Sequence, residues 1–121
     1  MNAIDVQPPV TESQRLYNEW RAARARWDLA QYDRPNPQDD LPDELDAMHC
    51  ATEHSALRAY LLCPTTDPFE LSRKLRVMQT EGAAHFDCVG EVIEGLAKDA
   101  HKIAEEQLSQ RGRSKPAALR D

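Results

Sequence analysis

The chain has 121 residues, enough for one domain and too few for two comfortable ones. With 40% hydrophobic and 30% charged residues it has globular composition, while a net charge of −6 excludes a general nucleic-acid surface, which needs cationic side chains for phosphate. The longest apolar run, Ala59 to Cys63, is far too short for a membrane span.

The opening "MNAIDVQPPV" has neither a basic start nor an apolar stretch, so no secretory signal is read there. Three cysteines without framework spacing fit reduced thiols, and the expected location is the cytoplasm. The charge is uneven. Residues 1–110 carry 11 basic and 20 acidic side chains, whereas the last 11 residues, "RGRSKPAALRD", carry four basic and one acidic. Residues 1–10 therefore read as a disordered lead-in, 11–110 as a single helical domain and 111–121 as a basic disordered tail. Residues 11–32 could form a semi-independent interaction helix within that domain.

Thr11 with Gln14 fits a capping box and predicts a first helix over about 12–32. Leu16, Trp20, Ala23, Trp27 and Ala30 follow in steps of four and three, the spacing of a helix that packs along another helix. "DRPNPQDDLPD" then breaks the helix, because proline lacks the amide donor and disfavours helix before it. Asp40 is the expected N-cap of a second helix over about 41–62, with Pro42 in its first turn and Asp43, Glu44 and Asp46 matched to the helix dipole. "PTTDPFE" ends it and starts a third helix over about 68–81, with Asp67 as N-cap, Pro68 at the first position and Glu70 closing a box.

The third helix should bury Leu71, Leu75 and Met78 and stop at Gly82. The fourth, about 84–109, has a stripe of Phe86, Val89, Ile93, Leu96, Ala97, Ala100, Ile103 and Ala104. Asp87, Glu91, Glu94, Lys98, Lys102 and Glu106 face away from it. No segment alternates as a strand does, and there is no internal repeat. The fold class is all-α, a small bundle of about four helices.

The stretch "ALRAYLLCPTTDPFELSRKL" resembles a recurrent small helical family of alphaproteobacterial genomes and their prophage regions. Its members end one helix in an apolar triplet, turn at proline, and continue with a short x-x-L-x-x-K-L helix and a last amphipathic helix. The matching residues here are Leu61, Leu62, Pro64, Pro68, Leu71, Lys74 and Leu75, within a likeness spanning about 41–108. The resemblance implies a helical fold and a mobile-element setting, and it brings no catalytic motif.

"HCATEH", residues 49–54, gathers the most chemistry. At about 100° per residue, Leu45, Met48, Thr52, Ala56, Ala59 and Tyr60 form the predicted apolar stripe of the second helix, with His49 and Glu53 at its edge. Cys50 and His54 point roughly 100° away, beside Leu57 and Leu61, so the second helix is expected to pack on two sides. Asp46–His49–Glu53 is half of a bundle di-metal motif, but no second half exists in the chain. Cys50 and His54 could join His85 and Cys88 as a tetrahedral zinc set, although the 30-residue gap matches no zinc finger. A second packing face of small side chains is the simpler reading, so no metal is favoured.

A thiol nucleophile finds no electropositive setting: Cys63 precedes Pro64, and Cys88 sits next to Asp87. The four glycines are too dispersed for a phosphate loop, and no catalytic or cofactor-binding residue is assigned. Arginines interleaved with Tyr17, Trp20 and Trp27 could stack single-stranded nucleic acid, yet they flank a packing seam in the usual way.

The leading expectation is therefore a non-enzymatic interaction protein, binding another protein or itself as a homodimer through Leu16, Trp20, Ala23 and Trp27 with Arg21 and Arg24. A small zinc-binding regulator is the alternative. An acidic decoy for a nucleic-acid-handling protein comes third. Nucleic acid and membrane are not expected partners.

Overall fold

The structure, a computed structural model, describes residues 9–32, 41–82 and 87–114. Four helices account for nearly all of them: α1 (Glu12–Tyr32), α2 (Asp43–Leu62), α3 (Pro68–Glu81) and α4 (Val89–Ser114). No strand occurs among the described residues. The protein is all-α. Most of the N-terminal lead-in, Asp40, His85, Phe86 and the tail from 115 lie outside the described residues. The chain divides into two compact units, Met1–Cys63 and Pro64–Asp121, each built on one pair of helices.

In the first unit, the Gln14 amide donates to Thr11 Oγ1 at 3.0 Å, the N-cap bond that the sequence predicts. Trp20 and Ala23 of the predicted seam are buried, and Leu16, Trp27 and Ala30 are half-buried. The seam packs against α2. That helix begins at Asp43, because Pro42 occupies the N-cap instead of the first turn and its carbonyl accepts the Asp46 amide at 2.9 Å. It ends at Leu62, where Cys63 turns to an extended φ of −70° and ψ of 127°, as a residue before proline must.

The face that α2 buries is not the one its apolar spacing indicates. Of the expected stripe Tyr60 is buried, together with Glu53, Leu57 and Leu61, whereas Leu45, Met48, Thr52 and Ala59 are exposed and Ala56 is half-buried. The buried face is turned about 100° from the expected stripe. The two directions expected for "HCATEH" are thus the flanks of one face. The physical reason is that α1 offers α2 two indole donors, which draw carboxylates inward.

In the second unit, Asp67 Oδ1 accepts the Phe69 amide at 2.8 Å, and Pro68 fills the first helical position of α3. Gly82 caps the other end with φ 66° and ψ 46°, a left-handed conformation that glycine adopts without a Cβ penalty. The predicted inner face again differs. Glu70, Lys74 and Val77 are buried, Leu71 and Met78 are half-buried, and Leu75 is exposed.

Helix α4 begins at Val89, later than expected, after turn residues Asp87 and Cys88. It continues through Gly112 to Ser114, so the expected tail starts inside a helix. Glycine weakens a helix by about 1 kcal/mol without stopping it, and the next proline is Pro116. Its buried positions are Val92, Leu96, Asp99 and Ile103, with Cys88 just before. Ile93, Ala97, Ala100 and Ala104, placed in the inner stripe by their spacing, are exposed.

Candidate functional site

The seam between α1 and α2 is a two-rung ladder. Trp20 and Trp27 stand seven residues apart on α1, and Asp46 and Glu53 stand seven apart on α2. Because the helices run antiparallel, Trp20 meets Glu53 and Trp27 meets Asp46. The Trp20 indole N–H donates to Glu53 Oε1 at 2.7 Å, and the Trp27 indole N–H donates to Asp46 Oδ1 at 2.9 Å. Gln31 Nε2 reaches the same Asp46 oxygen at 3.5 Å.

Glu53 is 3% exposed, so its charge requires compensation from the protein itself. Arg24 supplies it, with Nη1 at 3.3 Å from Oε1, and His54 Nε2 lies at 3.5 Å from Oε2. Beside this carboxylate Trp20 stacks parallel to the fully buried Tyr60, with ring centroids 6.3 Å apart and planes 3° apart. Tyr17 leans on both rings, at 5.9 Å from Trp20 and 5.3 Å from Tyr60. The guanidinium carbons of Arg21 and Arg24 lie 5.8 Å and 5.9 Å from the Trp20 ring, within cation–π range.

These distances define what the six interaction candidates do. Trp20 and Ala23 are enclosed by α2. Leu16, Trp27 and Arg24 are half-buried at its margins, and Arg21 lies outside on the Trp20 ring. The Trp20 indole is enclosed by Glu53, Tyr17 and Tyr60 of its own unit, and the Trp27 N–H is taken by Asp46. Reading the sequence by apolar spacing missed Glu53 as the centre of this cluster. The signal was nevertheless present, as matched seven-residue spacings of indoles and carboxylates on two consecutive helices.

Of the metal candidates, Cys50 and His54 come together, with Sγ at 3.9 Å from each ring nitrogen on the exposed side of α2. Cys88 is buried in the second unit, and His85 lies outside the described residues. Among the described residues, no group of three or more His, Cys, Asp or Glu side chains is placed to hold a metal ion. His49 is half-buried, and Asp46 and Glu53 of its motif are engaged by the two indoles.

The second unit holds a further polar cluster that sequence spacing did not single out. Thr65 donates through Oγ1 to Glu70 Oε2 at 2.6 Å, and its amide donates to Asp99 Oδ2 at 3.2 Å. Thr65 Oγ1 also accepts the Asp67 amide at 3.2 Å. All three of Thr65, Glu70 and Asp99 are buried. One threonine thereby ties the turn before α3 to α3 and to α4. Glu70, expected to close a capping box, is used for this tie.

With carboxylates turned inward, apolar side chains are left outside. On α2 the outward positions are Leu45, Met48, Thr52 and Ala59, with Met48 at 54% exposure. On α4 they are Ile93, Ala97, Ala100, Ala104 and Leu108, with Ile93 at 56% and Leu108 at 66%. Both sets advance in steps of three, four or seven, as helix-packing seams do. Among the described residues no helix is long and apolar enough to cross a membrane. Neither family models, nor curated proteins, nor solved structures gave a match to this chain.

Proposed function

We propose that the chain is a non-enzymatic helical interaction module of mobile-element origin, docking another protein or a second copy in the cytoplasm. The observation that carries this reading is the inversion of α2 and α4. Each sets a helically spaced apolar stripe toward solvent and keeps an acidic side chain, Glu53 or Asp99, inside. Contiguous apolar surface of this kind, rimmed by charge, is characteristic of protein–protein contact sites. The Trp20 seam has a different role, as the core of the first unit that holds α2 in this orientation.

The test uses Met48→Lys and Ile93→Lys in the full chain. Both positions are more than half exposed, so unfolding free energies should stay within about 0.5 kcal/mol of wild type. Immobilised wild-type protein should retain a partner from host lysate or its own labelled copy, and the variants should lose it. Retention that survives both substitutions would sink the reading.

A further inference from the structure

We infer that a second copy of this chain covers the outward face of α2, the two helices running antiparallel about a twofold axis beside Ala51. The inference rests on the interaction-module reading and names its partner. Between Glu44 and Arg58 the outward positions are Ala47, Met48, Ala51, Thr52 and Ser55, all exposed and all uncharged. A solvated helix face of that length ordinarily carries several charges. Ala51, Thr52 and Ser55 of this face, with Ala56 and Ala59 beside them and Glu19 of α1, line a shallow open depression between α1 and α2.

The two charges decide the occupant and its direction. Glu44 and Arg58 are fourteen positions apart, about 21 Å along the axis and about 40° around it, so both lie on the outward face itself, one at each end of the uncharged stretch. Among the described residues neither has an ion-pair partner. Antiparallel pairing sets Glu44 beside the partner's Arg58, and symmetry repeats the pair with the roles exchanged. Parallel pairing would set like charges together at both ends. The midpoint of the two charges is Ala51, whose small side chain lets the helices approach where they cross. On α4, Lys98 lies 3.4 Å from Glu94 and His101 lies 3.0 Å from Glu105, so these charges are used within their own helix.

Sedimentation equilibrium on the full chain tests this, with circular dichroism confirming helicity. Wild type should approach twice its 13.7 kDa mass. Glu44→Lys and Arg58→Glu should each weaken the dimer about tenfold at low salt, because each sets like charges together twice. The double variant carries both reversals in every copy and should recover to within about threefold of wild type. Ala51→Glu should give monomer. A dimer indifferent to the single reversals, or a double variant weaker than either single one, overturns the inference. A monomeric wild type overturns it as well. If that monomer still loses a different protein on Met48→Lys, only the self-docking falls and the interaction-module reading stands. If it loses nothing, both fall.

Discussion

Glu53 has two neighbours that need it for different reasons. The Trp20 indole needs an acceptor for a buried N–H, and Arg24 needs a counter-charge at the edge of the same pocket. Glu53→Ala leaves the indole N–H buried without its acceptor, which costs about 1–3 kcal/mol, and removes the ion pair as well. Glu53→Gln keeps the acceptor and should cost less. Urea unfolding followed by tryptophan fluorescence should therefore rank wild type above Gln and Gln above Ala. An alanine variant as stable as wild type would mean that the indole bond contributes nothing net. Apolar periodicity counts a glutamate as surface and could not signal this position. Only pairing two tryptophans with two carboxylates at equal spacing shows it, and that requires knowing that α1 and α2 are antiparallel neighbours.

At the scale of elements, the helices begin and end where capping chemistry directs: Thr11 and Asp67 start helices, and Gly82 and Pro64 follow their ends. These signals were legible because they depend on a few adjacent residues. The first turn of α1 also carries a pH-dependent feature, a cluster of Arg15 with Glu12 and Glu19. A hydrogen bond from Arg15, with its charge adding, holds the Glu12 carboxyl below its ordinary value of 4.5. A depressed carboxylate stabilises the folded turn above the unfolded value, and that contribution is lost as pH falls through the folded one. Both side chains are exposed and screened by solvent, so the effect is local fraying. Protection of the Gln14 and Arg15 amides, relative to their intrinsic exchange, should fall as pH drops below the ordinary carboxylate value of 4.5. Glu12→Gln should remove that acid step, and its persistence in the variant would assign the step to another group. Which face each helix buries was the part not legible. Leu75 and Ile93 look inward by spacing and are exposed, while Lys74 and Asp99 look outward by charge and are buried.

Across the whole molecule the acidic balance and the engaged arginines lead to the same expectation. Residues 1–110 are strongly acidic, and the two arginines nearest Trp20 already lie over its ring, with Arg24 also held by Glu53. Fluorescence anisotropy with a labelled single strand or duplex at about 50 mM salt should show no tight binding, since the acidic balance of residues 1–110 opposes phosphate contact. Tight, salt-sensitive binding would return the tryptophan helix to the nucleic-acid reading. The sequence by itself determined an all-α chain, four helices, both ends of α1 and α3 and the C-terminal end of α2, because helix propensity, prolines and caps act over a few residues. Only the tertiary structure decided which faces are inside. A helix can bury a stripe of alanines or a carboxylate with its donors, and which one wins depends on what the neighbouring helix offers. Here α1 offers α2 two indoles, so within "HCATEH" Glu53 turns inward while Ala51 and Thr52 face out.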